Sequence, residues 1–282
     1  DNKLAKYSDL FIFSDGSKAN DVDSQTKVSE IRDYIKTISG FYSINITQNP
    51  RNKGLCDNII EGVTDVINNY GRAIVLEDDI LVHPRFLEYM NNSLQYYEDN
   101  HNVWSITSHT YFLNNTKKTY LLPLTCSWGW ATWKSRWQHF QRNPEALNNK
   151  IKGIRKIKFS FYGSFLNLNT QVIQNFTEKI RTWAIYWYDS SLSNNGYTLY
   201  PQKPMSINIG FDGSGQNCPE SNLYSYKFDS NFMISDQDYT DEVIRRNCLK
   251  LWIHLSKVQL SNLYKRLIRY ILKKLRFSSS YS

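Results

Sequence analysis

Residues 73–79 read Ala-Ile-Val-Leu-Glu-Asp-Asp, four apolar residues followed directly by three acids. An uninterrupted apolar run of this length is typical of a parallel-sheet strand that is buried on both faces. The three carboxylates then stand at the C-terminal end of the strand, where open α/β sheets bind their ligands. Adjacent acids repel one another, and oxygen ligands of this kind suit Mg²⁺ or Mn²⁺ shared with substrate phosphates. An acidic turn that leads into the next helix is the alternative interpretation.

Strands and helices alternate along the first third of the chain. The pattern predicts strands at 9–14, 41–47 and 72–77, and helices at 22–38 and 55–69. In the first helix the apolar residues expected to face inward are Val28, Ile31, Ile35 and Ile38. Pro84 favours the first turn of a helix that reaches about residue 99, and 103–107 is predicted to be a further strand. This alternation implies right-handed crossovers and an α/β domain with a parallel sheet.

Composition narrows the class of protein. The chain has 282 residues, of which 41% are hydrophobic and 15% aromatic, so it is too apolar to be disordered. No apolar run reaches the roughly 18–20 residues that a membrane span needs. The four cysteines are far apart and predict buried free thiols rather than a zinc site or a disulfide framework: Cys56, Cys126, Cys218 and Cys248.

Positive charge is concentrated at the C-terminal end. The net charge is +8, and ten Lys or Arg residues but no acid lie between Arg245 and Arg276. Within residues 257–276 the apolar side chains form a stripe with basic residues beside it: Leu260, Leu263, Leu267, Ile271 and Leu275. This pattern favours a basic amphipathic helix on an anionic membrane surface. Nucleic-acid binding and docking of the stripe on the domain are the alternatives. The near-neutral remainder of the chain argues against nucleic acid.

Two predicted strands end in acids at one edge of the presumed sheet. Asp15 follows the strand at 9–14, and Glu77-Asp78-Asp79 follow the strand at 72–77. Asp15 is placed to accept hydrogen bonds from a base or ribose. Asp79 is placed to hold a divalent cation between two phosphates. Together these residues predict a nucleotide-diphosphate site in which a metal neutralises the departing diphosphate.

The residues around these acids resemble a known family. The segments that carry the resemblance are Val75-Leu76-Glu77-Asp78-Asp79-Ile80, the helix after Gly54, Pro84-Arg85-Phe86-Leu87-Glu88-Tyr89 and Gly129-Trp130. They are similar to the N-acetylglucosaminyltransferase I-like glycosyltransferases, in particular the bacterial family-2-like sugar transferases. The resemblance covers about residues 7–220 and is most specific at 72–90 and 127–137.

The resemblance implies a GT-A nucleotide-diphospho-sugar transferase fold, with a mainly parallel central sheet flanked by helices. It also implies a nucleotide-sugar donor, typically a UDP-sugar, and Mn²⁺ or Mg²⁺ as cofactor. In that family the last acid of the motif ligates the metal, which here is Asp79. Glu77 and Asp78 would position the donor, Asp15 would contact the nucleotide, and Gly54 would lie on the donor side.

The chain departs from the family pattern in two places. Family members begin with a further interior strand and an Arg-bearing turn, whereas this sequence starts at Asp1 without them. The family's catalytic base is an Asp at the position that Ala184 occupies here. Asp189 is the nearest substitute for that base, and the alternative is a solvated helix residue.

Two further segments are candidates for substrate contact. Trp130 follows Gly129 and is the predicted acceptor-side residue, while a packed aromatic cluster is the interpretation for Trp133 and Trp137. The Gly-rich loop at 208–215 is predicted to order over the diphosphate, because glycines let backbone N–H groups approach oxygens. A plain surface turn is the alternative for this loop.

The sequence therefore predicts a GT-A domain at 1–240 and a basic helical tail at 241–282. The predicted activity is inverting, metal-dependent transfer of a sugar from a nucleotide diphosphate to a glycan or lipid-linked acceptor. The expected setting is bacterial surface polysaccharide synthesis, in the cytoplasm or on the inner face of the plasma membrane. The alternatives are a non-catalytic remnant that keeps sugar or nucleotide affinity, and a basic nucleic-acid-binding protein.

Overall fold

A computed structural model describes residues 2–111, 118–151 and 168–210, together with 243, 246–251, 253 and 256. Three sequence predictions fall wholly or partly outside these residues: the amphipathic tail helix at 257–276, most of the Gly-rich loop at 208–215, and Cys218.

The first half of the chain follows the predicted alternation closely. After a short 3-10 turn at Ala5–Tyr7, the elements are β1 (Asp9–Ser14), α1 (Val22–Ile35), β2 (Ser43–Gln48), α2 (Leu55–Tyr70), β3 (Arg72–Val75), β4 (Ile80–Val82), α3 (Phe86–Tyr96) and β5 (Val103–Thr107). Glycines mark both ends of α2, and Gly71 takes the left-handed conformation (φ 77°) that ends a helix. The α/β class is confirmed.

Shorter elements make up the second half of the described chain. They are β6 (Tyr120–Leu122), β7 (Trp130–Trp133), α4 (Lys134–Trp137), α5 (Pro144–Lys150), α6 (Leu168–Phe176), α7 (Ala184–Ser193), β8 (Tyr197–Tyr200) and β9 (Ser206–Asn208). None of the described helices is both long and apolar enough to cross a membrane.

The described strands form three sheets rather than one. β1 and β2 pair in parallel, β4 and β9 pair antiparallel, and the central sheet has the order β3-β7-β5-β8-β6. Among the described strands of the central sheet, β5 and β8 form a parallel pair. The other three pairs of adjacent strands are antiparallel. The prediction of a mainly parallel central sheet is therefore not confirmed, because strands from the second half insert as antiparallel neighbours.

Helix α2 packs against both β1 and β3. Asn58 Nδ2 donates to the carbonyl oxygen of Phe13 in β1 (2.9 Å). A Cβ at Gly62 would lie 2.9 Å from the Phe13 ring, so the glycine allows close contact. On its other side α2 buries Val63 and Ile67 in the same apolar cluster as Ala73 of β3. The helix thus joins the parallel pair to the central sheet.

Strand β3 is less buried than its sequence predicts. Ala73 is buried, but Ile74 and Val75 are half-buried and Leu76 is 42% exposed. The reason is that, among the described strands, β3 pairs only with β7 and forms an edge of the central sheet. The expectation of burial on both faces was wrong for this strand.

The inward face predicted for the first helix is only partly covered. In α1 Ile35 is buried, Val28 is half-buried, and Ile31 is 53% exposed. The helix ends at Ile35, so Ile38 lies beyond it. A two-stranded sheet offers too little surface to bury the whole apolar face of a helix.

Aromatic residues fill much of the core between the central sheet and its helices. One aromatic cluster joins α2, β3, β5, β7, α4 and α7, and it contains five tryptophans: Trp104, Trp130, Trp137, Trp183 and Trp187. Of the predicted thiols, Cys56 and Cys248 are buried and Cys126 is half-buried, and Cys56 and Cys126 are free.

Candidate functional site at the end of strand β3

The three acids at the end of β3 are held by a second pair of strands. The chain passes from Glu77 through Asp79 into β4, which pairs with β9 so that Ile80 lies opposite Asn208. This pairing brings the Asn208 amide to Asp79, and Nδ2 donates to Asp79 Oδ2 (3.0 Å). The main chain adds a second connection, since Ile209 N–H donates to the Asp79 carbonyl (2.8 Å).

Asp79 presents one carboxylate oxygen that has no hydrogen-bond partner among the described residues. This oxygen, Oδ1, is buried, whereas Oδ2 accepts from Asn208. Burial raises the pKa of Asp79, the Asn208 hydrogen bond opposes that rise, and the charge of Asp78 adds to it. A buried carboxylate oxygen without a donor is costly unless a cation or another ligand completes it.

Glu77 lies deeper than its two neighbours. Burial raises its pKa to about 7, the negative charges of Asp79 and Asp78 add to the rise, and a hydrogen bond from the Trp183 side chain opposes it. Asp78, by contrast, is exposed. The three consecutive acids therefore differ in environment, and near neutral pH Glu77 is poised between its charged and neutral forms.

These residues fit a hard divalent cation that is shared with a ligand. The described residues include no group of three or more His, Cys, Asp or Glu side chains that could hold a metal by themselves. Mg²⁺ and Mn²⁺ sites commonly use only one or two carboxylates, with substrate phosphates and water as the other ligands. The free oxygen of Asp79 supplies such a carboxylate, with Asn208 holding its second oxygen.

Asp15 and Gly54, both predicted on the donor side, are in direct contact. Asp15 Oδ2 accepts from Gly54 N–H (2.8 Å), and Oδ1 accepts from Gly16 N–H (2.8 Å) and Lys53 N–H (2.9 Å). The carboxylate thereby fixes the loop that precedes α2. No hydrogen bond or ion pair among the described residues joins Asp15 to Asp79, which belongs to a different part of the sheet system.

Trp130 occupies the middle of the aromatic cluster. It is 1% exposed, and its ring stacks on Trp183 with centroids 5.1 Å apart. Direct acceptor contact would require the cluster to open, and the predicted role of Trp130 remains a prediction. The neighbouring rings also pack inside: Trp137 stacks on Phe140 at 4.5 Å, and Trp133 is buried on the other face of the sheet.

Asp189, the predicted base, forms an ion pair. Its Oδ2 lies 2.6 Å from Lys150 Nζ, and Ser193 Oγ donates to Oδ1 (3.3 Å). Ala184, the residue at the family's base position, begins α7. No hydrogen bond or ion pair among the described residues connects Asp189 with Glu77 or Asp79, and its catalytic role remains a prediction.

Sequence reasoning missed two residues of this site. Asn208 is 129 positions from Asp79, and its only signal was its place at the start of the Gly-rich loop. Trp183 reaches Glu77 from the position before α7, next to Ala184. Both contacts depend on the packing of distant segments, which no local pattern reveals.

No protein-family model matches the chain, and no curated protein matches it at a significant level.

Proposed function

We propose that the chain is a metal-dependent glycosyltransferase with a GT-A arrangement, which transfers a sugar from a nucleotide diphosphate to a glycan or lipid-linked acceptor. The observation that carries the proposal is the free, buried Oδ1 of Asp79 at the end of β3, with Oδ2 held by Asn208. The sequence resemblance around residues 72–90 supports the same assignment.

In this proposal Asp79 holds Mn²⁺ or Mg²⁺ together with the donor diphosphate. When bound, the cation neutralises charge on the leaving diphosphate. Asn208 fixes the orientation of the Asp79 carboxylate, so that one oxygen remains directed at the ligand. Asp78, which is exposed beside it, keeps a second carboxylate at the rim of the site.

Glu77 contributes a carboxyl group that changes charge near neutral pH. Burial raises its pKa to about 7, and the hydrogen bond from Trp183 orients its carboxyl group. A bound cation would favour its charged form, so Glu77 would add to the negative charge that holds the cation. The sequence resemblance assigns Glu77 the role of positioning the donor.

A sugar- or nucleotide-binding protein without transferase activity is the second candidate. It is supported by Ala184 at the base position and by the ion pair of Asp189 with Lys150, which occupies that carboxylate. Both candidates require Asp79 for metal-dependent nucleotide binding, and only the first predicts turnover.

Titration calorimetry with UDP, in the presence and absence of Mn²⁺, tests the shared requirement. We expect Mn²⁺ to increase UDP affinity in the natural protein and to have no effect in Asp79→Ala. Asp65→Ala is the matched control, because Asp65 is an exposed acid on the outer face of α2. Equal UDP affinity of Asp79→Ala and the natural protein with Mn²⁺ would overturn the metal assignment.

A panel of UDP-sugars with Mn²⁺ separates the two candidates. Release of UDP that depends on an added glycan acceptor supports transfer. Metal-dependent UDP binding without turnover on any donor supports the binding protein.

A further inference from the structure

A second cluster of polar groups lies at the first turn of α2, separated from the acids by Trp183. Arg142, Arg181, Cys56 and Tyr186 approach one another there, beside the aromatic cluster that includes Cys56 and Trp183. The Arg142 guanidinium lies over the Tyr186 ring, with Cζ 5.3 Å from the centroid. The site described above does not use these groups.

Two polar atoms of this cluster are buried and have no hydrogen-bond partner among the residues that the structure describes. They are Nε of Arg142 and the hydroxyl oxygen of Tyr186. Tyr186 as a whole is only 1% exposed, so water does not replace the missing partner from the surface. A buried hydroxyl and a buried guanidinium N–H without acceptors each cost folding free energy. The Arg142 N–H can only donate, and the Tyr186 hydroxyl can donate as well as accept, so an acceptor would satisfy both groups.

The local charge favours an anion as that acceptor. Arg181 pairs with Asp57, whose two carboxylate oxygens accept from Arg181 Nη2 at 2.7 and 2.8 Å. This pairing leaves the charge of Arg142 without a carboxylate partner among the described residues. Burial raises the pKa of Cys56, so its thiol stays neutral and adds no negative charge.

Helix ends add to the positive potential. The 16-residue α2 begins at Leu55 after Gly54, and the 10-residue α7 begins at Ala184 after Trp183, in both cases without a side-chain cap. The N-terminus of a helix carries partial positive charge and free N–H groups, which favour phosphate. Burial also raises the pKa of Tyr186, so its hydroxyl keeps the proton that it would donate.

We propose that Arg142, Tyr186 and the first turn of α2 form a binding pocket for a phosphate group. Arg142 supplies charge and its Nε–H, Tyr186 supplies its O–H, and the helix supplies the favourable dipole. Arg181, which Asp57 already engages, forms the wall of the pocket. Whether the bound phosphate belongs to the nucleotide-sugar donor or to the acceptor depends on the proposed function. The binding of phosphate itself does not depend on it.

Calorimetric titration with inorganic phosphate at constant ionic strength tests the pocket without a metal. We expect binding to the natural protein, and a loss of about tenfold or more in affinity in Arg142→Gln, since a charged hydrogen bond is removed. Lys134→Gln is the control, because Lys134 contacts Asn68, 13 residues along α2 from Leu55 and about 20 Å from the first turn. Equal phosphate affinity in Arg142→Gln and Lys134→Gln would overturn the proposal.

Tyr186→Phe distinguishes a binding role from a structural one. It removes a buried hydroxyl that has no partner in the described part of the chain, so the unfolding temperature should stay the same or rise. We expect phosphate affinity to fall several-fold at the same time. Unchanged phosphate affinity in a stably folded Tyr186→Phe variant would contradict the assignment.

Two further experiments identify the molecule to which the phosphate belongs and test the phosphate pocket independently of the metal site. Asp79→Ala should bind inorganic phosphate as the natural protein does, so failure of the metal assignment leaves the pocket intact. Saturating UDP with Mg²⁺ should displace phosphate if the pocket holds the donor diphosphate. If phosphate still binds to the UDP-bound protein, the pocket serves a phosphorylated acceptor.

Discussion

The amide of Asn208 holds the carboxylate of Asp79 at 3.0 Å, across the antiparallel pair of β4 and β9. Gly210 N–H in turn donates to Asn208 Oδ1 (2.8 Å), so the asparagine is itself fixed. This chain of hydrogen bonds occupies one oxygen of Asp79 and leaves the other for a ligand. The asparagine is thus a positioning residue for the proposed metal ligand.

Replacing Asn208 by Ala should weaken metal-dependent nucleotide binding. Without the amide, the Asp79 carboxylate can rotate, and we expect the Mn²⁺-dependent gain in UDP affinity to fall by about tenfold. Calorimetry with UDP and Mn²⁺ measures the change. Asn69→Ala, on the exposed end of α2, is the control and should keep the full gain. An undiminished gain in Asn208→Ala would show that Asp79 needs no such support.

Glu77→Gln should stabilise the metal-free protein at neutral and alkaline pH. The folded-state pKa of Glu77 is raised from 4.5 to about 7, so the folded protein binds the proton more tightly than the unfolded chain. The stability from this group is fully present below pH 4.5 and is lost as pH rises through 7, by roughly 3 kcal/mol. Glutamine keeps the shape without the charge and should remove this loss.

Urea unfolding of the natural protein and of Glu77→Gln at pH 5 and pH 8 measures the difference. Glu61→Gln serves as control, because Glu61 is an exposed acid on α2. A stability difference between Glu77→Gln and the natural protein that stays constant from pH 5 to pH 8 would refute the predicted pKa.

His109 should contribute to unfolding in acid. Burial lowers its pKa from 6.5 to about 3, and its ring packs edge-on against Trp128 with centroids 4.6 Å apart. The unfolded chain takes up the proton near pH 6.5 and the folded protein does not, so stability falls as pH decreases from 6.5 towards 3. As the pH falls from 7 to 4.5, proton uptake by Glu77 stabilises the folded protein and offsets part of the loss from His109. Below about pH 4.5 Glu77 is protonated in both states and offsets no further loss.

The comparison of His109→Gln with the natural protein isolates this contribution. We expect the variant to be less stable at pH 7, because packing is lost, but to lose less stability between pH 6.5 and pH 4. His101→Gln, at an exposed turn, should reproduce the natural acid dependence. Parallel acid profiles of His109→Gln and the natural protein would contradict the lowered pKa.

Gly129→Ala should destabilise the fold by about 3 kcal/mol. Gly129 has φ of 67°, and an added Cβ would collide with Ser108 Oγ and approach the Phe86 ring to 3.2 Å. Gly40→Ala is a matched control: Gly40 has φ of 90°, but an added Cβ there would meet nothing within 4 Å. Gly40→Ala should lose only about 1 kcal/mol of stability, because it introduces backbone strain without a collision. Thermal unfolding of both variants therefore separates the cost of strain from the cost of collision. Equal destabilisation would mean that Ser108 and Phe86 can move aside.

Local signals were sufficient to predict most elements of the first half. The strand at Val103–Thr107 has the predicted limits, and α2 covers Leu55–Tyr70 against a prediction of 55–69. Glycines at both ends and apolar residues at helical spacing determine α2, and all of these act within a few residues. The sequence likewise marked the acids at 77–79 as the candidate site, because three adjacent carboxylates after an apolar strand have few structural uses.

The amino-acid sequence by itself thus determined the α/β class, the succession of elements and the position of the acids. Only the tertiary structure decided that β3 is an edge strand paired with β7, that Asn208 holds Asp79, and that Trp130 is buried. These outcomes depend on strand pairing and packing between segments far apart in the chain. The free energy of such contacts comes from the whole assembled sheet and core, and no local pattern of residues encodes which distant partner is chosen.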